Sequence, residues 1–268
     1  MDPSRPGFPA ELNGYRLVFD DDFAGPDLDA SRWLPVYLPH WSSRERTRPR
    51  YAVEDGCLTL RIDPDQEPWC PEFNGAVKVS SVQTAQVSGP SGSAIGQHRF
   101  RDGLVVREEQ SRAVLWAPRH GAIEMRARAD IAQNNLVALF LVGLEERPED
   151  AGEITVMEVF GRNVSPEGTR LGHGIKAIRD PRLTTDVREE RLPFSISDWH
   201  VYAVEWTPEG VSFFLDGRLL RRLDQSPNYP MMLMLNIYEL PPQPQSPVRL
   251  RPGPATFTID FVRGYEPA

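Results

Sequence analysis

Twenty-six of the 268 residues are proline, against an ordinary usage of about one in twenty. Each proline inside a helix removes a hydrogen bond and clashes with the preceding turn. A chain so punctuated does not build long helices. With 20 glycines as well, it reads as many short strands joined by turns and longer loops. The local patterns agree. Leu58, Leu60 and Ile62 alternate with Thr59 and Arg61, and Ile123, Met125 and Ala127 alternate with Glu124, Arg126 and Arg128. A period of two marks a half-buried strand. Asn135 to Leu144 is apolar almost throughout, as expected of a strand covered on both faces, though period alone does not separate it from a buried helix. Between Tyr202 and Leu220 two hairpins follow one another. The first turns at Thr207-Pro208-Glu209-Gly210 and the second at Asp216-Gly217, both with the residue types that such turns require. Met231 to Tyr238 and Thr256 to Val262 supply further strands. The expected fold is all-β, a two-sheet β-sandwich of jelly-roll type with a concave cleft able to take a ligand. Residues 1–10 read as a loose arm, and residues 11–268 as a single domain.

Charge and cysteine content narrow the partners. Thirty Lys and Arg stand against 38 Asp and Glu, a formal net charge of −8. Without a basic run, neither a nucleic acid nor an anionic membrane surface is an expected partner. The apolar run Met231–Leu235 is far below the roughly 20 residues that span a bilayer. Cys57 and Cys70 are the two cysteines; they form either a disulfide or two separate thiols. The opening residues Met1 to Gly7 lack the apolar stretch of a secretory leader, and Asn163-Val164-Ser165 fits a glycosylation sequon by pattern. Phosphate-loop and HExxH patterns are absent, and the five histidines show no metal spacing. Ser88 to Ser93 is a Ser/Gly-rich stretch without nucleophile-elbow spacing and reads as a loop.

The chemistry concentrates between Ala151 and Gly161. This segment places Glu153 and Glu158 inside an otherwise apolar run of strand formers. In a regular strand Glu153, Thr155 and Met157 share a face and Glu158 points to the other. The bland reading is an edge strand with a carboxylate in water. The alternative is one extra residue, a β-bulge near Val156 and Met157, which turns Glu153, Thr155 and Glu158 to the same side. Their Cα atoms are then roughly 13 Å apart at normal rise, and inward-leaning side chains bring the carboxyls to about 5–6 Å. That separation suits a retaining glycosidase, in which one carboxylate attacks the sugar and the other protonates the leaving oxygen.

The segment resembles the bulged signature of glycoside hydrolase family 16, E-[IL]-D-[IV]-M-E. Four further pieces are similar to the family in the same order: Leu28-Asp29-Ala30-Ser31-Arg32-Trp33, His120 to Arg128, Asp198 to Thr207, and the pair Leu233–Asn236 and Ile259–Arg263. The resemblance implies a jelly roll with a carbohydrate cleft, Glu153 as nucleophile, Glu158 as general acid/base, and a laminarinase-like cut inside a β-1,3-glucan. It implies a polysaccharide or oligosaccharide partner, a monomer and an extracellular setting. It implies no required cofactor, while leaving room for a structural calcium at Asp20, Asp21, Asp22 and Asp260. Substrate contacts are expected from His173, Trp116, Trp41 and Arg112, with Trp33 and Trp206 in the core.

Two departures bear on the chemistry. The family aspartate between the glutamates is Thr155, so a charge that would help keep the acid protonated is missing. A unit charge at about 5 Å and an effective dielectric constant of 20 is worth roughly 3 kcal/mol. A threonine hydroxyl still donates a hydrogen bond to Glu153. Two family tryptophans that form a sugar platform are replaced by Leu136 and Phe140. These departures keep a lectin-like, catalytically weak protein of the same fold, or a transglycosylase, beside the hydrolase.

Overall fold

The computed structural model describes residues 14–241 and 253–268; the expected arm at residues 1–10 lies outside them. Among the described residues there are seventeen strands. They are β1 (Tyr15–Asp21), β2 (Arg50–Glu54), β3 (Cys57–Ile62), β4 (Lys78–Gln83), β5 (Ala85–Gln86), β6 (Ala113–Val114), β7 (Gly121–Asp130), β8 (Asn135–Gly143) and β9 (Glu153–Phe160). Then follow β10 (Val164–Ser165), β11 (Gly168–Lys176), β12 (Asp186–Leu192), β13 (His200–Thr207), β14 (Gly210–Leu215), β15 (Arg218–Leu223), β16 (Met231–Glu239) and β17 (Ala255–Pro267). The one α-helix among them is α1, Pro71–Asn74, a single turn, as the proline content requires. None is long and apolar enough to cross a membrane.

Two antiparallel sheets face each other. The first runs β15-β14-β13-β7-β17-β3-β2, with β1 also paired to β17. The second runs β10-β11-β9-β8-β16-β4, with β12 paired to β11. Both hairpins expected between Tyr202 and Leu220 are present, with Thr207 opposite Gly210 and Leu215 opposite Arg218. The core lies between the sheets. Val137, Leu139 and Leu141 of β8 and Leu233, Leu235 and Ile237 of β16 pack with Ile123, Met125, Val204, Phe257 and Ile259. Each such side chain, fully buried, contributes about 1.5–3 kcal/mol. Trp33 and Trp206 are fully buried there.

A second apolar layer explains why β8 reads as apolar on both faces. The alternate residues Ala138, Phe140 and Val142 point away from the core and are buried by the loops β1–β2, β3–β4 and β5–β6. Trp41, Trp69, Leu38 and Leu104 of those loops are fully buried. Exposing any of them costs about 2 kcal/mol, so this layer is a fixed wall over half of the second sheet. Cys57 and Cys70 are both thiols. The four aspartates expected to support calcium do not converge. Asp21 accepts from Trp33 Nε1 at 2.8 Å and from the Phe23 amide at 3.0 Å. Asp260 pairs with Arg126 at 2.7 Å, and Asp20 with Arg263 at 3.4 Å. No cluster of three or more potential metal ligands occurs among the described residues.

Candidate active site

The site is built on β9, where the ladder is interrupted. Leu139 pairs with Met157 but the next residue, Phe140, pairs with Thr155. On the other side Glu158 lies opposite Gly172 and Thr155 opposite Gly174. Val156 is therefore the extra residue of a β-bulge, and Val156 and Met157 both enter the core. Ile154 and Val159 also face the core, which leaves Glu153, Thr155 and Glu158 on the opposite side. A one-residue insertion of this kind is what moves a side chain to the other face of a strand.

The two carboxylates meet at one cation. Lys176 Nζ lies 3.0 Å from Glu153 Oε1 and 3.2 Å from Glu158 Oε2. The two oxygens are thus no more than about 6 Å apart, close to the separation of about 5–5.5 Å typical of retaining pairs. Thr155 donates its hydroxyl hydrogen bond to Glu153 Oε1 at 2.7 Å. His98 Nδ1 stands 4.0 Å from Glu153 Oε2, and its ring stacks on Phe140 with centroids 5.8 Å apart. Burial of Glu153, which is 3% exposed, pushes its carboxyl upward. The Lys176 charge, the His98 ring and the Thr155 hydrogen bond outweigh that and hold it below the usual carboxylate range. Burial also lowers His98, with Glu153 opposing and the Lys176 charge adding to the fall. Burial works against the Lys176 ammonium too, but Glu153 and Glu158 keep it above the ordinary lysine range.

His98 is held from behind. Its backbone N–H donates to Glu145 Oε1, and both residues are left-handed, with φ of 50° and 53°. Such a conformation costs roughly 1–2 kcal/mol per residue. Burial drives the Glu145 carboxyl up to about 8, with the His98 amide, Arg179 and Arg99 pulling the other way. Tyr37, Asn74, Tyr238 and Leu240 complete a hollow of about 180 Å³ that Glu153, Glu158, Lys176, His98 and Phe140 also line. Leu136 lines it as well.

The other expected contacts fall elsewhere. His173 is 1% exposed and packs against Phe213 of the opposite sheet, centroids 5.4 Å apart. It alternates with Gly172 and Gly174, which face the site, so it must face the core. Trp116 stacks on Phe19 at 4.5 Å and lies over Gly264, against the first sheet. Arg112 is exposed and ion-paired with Glu146 at 2.5 Å. Trp41 belongs to the loop wall, fully buried, with its indole N–H donating to the Gln97 carbonyl at 2.8 Å; it offers no ring face to a sugar. A loop that packs on a sheet buries its aromatics.

Lys176 and His98, beside the glutamates, and Glu145 behind them are residues that the sequence analysis does not single out. A signal for Lys176 existed. On the site face β11 reads Gly172, Gly174, Lys176, two residues without side chains and then one cation, in register with the glutamate strand. His98 sits in an irregular loop 55 positions before Glu153 and has no such signal.

Comparison with known proteins now bears on this geometry. Residues 116–250 match the family described as glycosyl hydrolases family 16. The solved structure of a GlcNAcα1-4Gal releasing endo-β-galactosidase from Clostridium perfringens is 30% identical. It aligns with 98% of this chain and 66% of its own, at a TM-score of 0.82. A laminarinase from Flavobacterium sp. UMI-01 is 18% identical over 94% of this chain and 100% of its own, with a TM-score of 0.64, which speaks for the fold. Among curated relatives, a beta-glucanase of Rhodothermus marinus is 33% identical over 109 residues, 38% of this chain and 37% of that protein. A glucan endo-1,3-beta-glucosidase A1 of Niallia circulans is 21% identical over 95% of this chain and 38% of its own length. The chain thus spans less than two-fifths of the length of these curated relatives. With a match across half its length, a jelly-roll sandwich and two glutamates brought together by a bulged strand, the chain belongs to glycosyl hydrolases family 16.

Proposed function

We propose that the chain is a retaining glycosidase acting on a β-linked glycan. The observation that carries this is the bridging of Glu153 and Glu158 by one lysine, which brings their oxygens within about 6 Å and leaves no space for a water between sugar and base as inversion requires. Glu153 Oε forms a bond to the anomeric carbon as the bond from that carbon to the glycosidic oxygen breaks. Glu158 gives its proton to the departing oxygen. Water then attacks the glycosyl–enzyme ester, Glu158 takes the water's proton, and the sugar leaves with retained configuration. Thr155 and Lys176 keep Glu153 ionised for the first step. For Glu158 to carry a proton, the Lys176 ammonium must give up its contact with it. A sugar entering between the carboxylates does this, leaving Nζ on Glu153.

For the substrate, the bulged strand and the glucanase relatives favour a β-1,3-glucan. The similarity to the Clostridium perfringens enzyme across nearly the whole chain favours a β-galactoside as a second reading. The test is reducing-sugar release from laminarin and from galactose-containing O-glycans by the native chain, Glu153→Gln and Glu158→Gln. The expected result is release by the native protein and a loss of at least about 10³-fold in each variant. Wild-type rates in either variant remove its assigned role. Binding without release by the native chain makes it a lectin, and oligosaccharides longer than the substrate make it a transglycosylase.

A further inference from the structure

We propose that the site is a blind pocket and not a through-running cleft, so that it engages the end of a glycan chain and cuts at one fixed, short distance from that end. The inference rests on Glu153 and Glu158 being the groups that act on the glycosidic bond.

A polymer lying across the second sheet would follow the rows of side chains on its site face. Three rows pass through the reacting groups. One runs Lys176, Glu153, Val142, Met232; the next Gly174, Thr155, Phe140, Met234, Gln83; the third Gly172, Glu158, Ala138, Asn236, Ser81. From Glu153 towards β4, every one of these residues on β8, β16 and β4 is at most 5% exposed. The loops lie directly on them. Gln97 Nε2 reaches Met232 Sδ at 3.3 Å, the Leu38 N–H donates to Gln83 Oε1 at 3.1 Å, and the Tyr37 ring meets Tyr238 edge-on at 5.6 Å. This layer has its own aromatic core, with Tyr37 against Trp69 at 4.7 Å and Trp41 tied to the Gln97 carbonyl. It is a wall rather than a lid.

In the other direction the face is open among the described residues. Gly172 and Gly174 present no side chains, and beyond them Val187 is half-buried and Glu189 and Arg191 are exposed. The carboxylates therefore stand on a boundary, with an unobstructed approach on one side and a wall on the other. What remains beside the wall is the hollow of about 180 Å³.

The experiment follows product length over time. Reducing-end-labelled β-1,3-gluco-oligosaccharides of increasing length, and labelled galactose-containing O-glycans, are treated with the native chain and the products separated. Viscosity of a long β-1,3-glucan is read in parallel. One released length from every substrate that is cut, present from the earliest time, with viscosity falling slowly per bond broken, supports the pocket. An early ladder of many lengths with a rapid loss of viscosity overturns it and leaves the proposed enzyme standing. If nothing is cut, binding decides. Affinity that stops rising at a short length, and drops at least tenfold when one end alone carries a bulky block, upholds the pocket while the hydrolase reading fails. Equal affinity for both blocked forms, or no binding, overturns the pocket as well.

Discussion

Lys176 Nζ stands 3.0 Å from Glu153 Oε1, from a position directly across the ladder between β11 and β9. Thr155 places a hydroxyl beside Glu153, and the Lys176 ammonium contacts both glutamates. The Lys176 charge holds the Glu153 carboxyl below the usual carboxylate range. This arrangement sets the pH behaviour.

Removing the cation should move the acid limb of activity. The folded-state carboxyl of Glu153 is depressed, so the ionised nucleophile persists on acidification and is lost only when pH falls through that lowered value. In Lys176→Met the main lowering cause is gone and burial remains, so the limb moves to higher pH. The expected loss in kcat/KM is at least about tenfold at pH 5 and smaller near neutrality. A pH–rate profile with an unmoved acid limb would show that Lys176 does not act on Glu153.

The Thr155 hydroxyl makes a smaller contribution in the same direction. Thr155→Val keeps shape and burial and deletes the 2.7 Å hydrogen bond to Glu153. A hydrogen bond to a charged group is worth about 1.5–3 kcal/mol, hence a loss of roughly 10- to 100-fold in kcat/KM and an acid limb displaced upward. Double-mutant analysis with Lys176→Met should show non-additivity, because both groups act on one carboxylate.

The fold was legible in the sequence because its determinants are local. Proline frequency, period-two runs and two turn motifs are short-range signals, and they placed the sandwich and both hairpins. The bulge was legible for a related reason. Glu153 and Glu158 differ in parity, so bringing them to one face demands one inserted residue. The wall was not legible. Tyr37, Trp41, Trp69 and His98 come from loops without period, and their positions are fixed only by what they cover. Trp41 and Trp116 look alike in sequence, each an aromatic residue in a loop, yet one seals the site sheet and the other packs on Phe19 of the first. His173 was misplaced on a family expectation that the alternation of β11 contradicts.

Glu145 makes stability depend on alkalinity. Its folded-state carboxyl titrates at about 8, against about 4.3 when unfolded. A group whose value is raised on folding gives stability that is complete below the unfolded value and is lost as pH rises through the folded one. Thermal denaturation should therefore show a falling Tm between pH 6 and 9. Glu145→Gln retains an oxygen to accept the His98 N–H and cannot ionise, so its Tm should fall by several degrees less over that range. Parallel curves for the two proteins would sink the assignment.

Gly172 tests how tightly Glu158 must be held. A Cβ there would lie 3.3 Å from Glu158 Cβ and 3.1 Å from its carbonyl oxygen, close enough to push but not to break the ladder. Gly174 differs, because a Cβ there would meet the Asp186 carbonyl oxygen at 2.2 Å on a backbone with φ of 147°, forcing β12 away. Gly172→Ala should therefore remain folded, with Tm within a few degrees of the native chain. Its kcat should fall by about 10- to 100-fold, since a shift approaching 1 Å in a reacting group costs on that order. Gly174→Ala should instead lower Tm markedly. Comparing kcat and Tm across the pair separates displacement of the acid from loss of the sheet edge, and a Gly172→Ala protein with native kcat would mean that Glu158 has room to adjust.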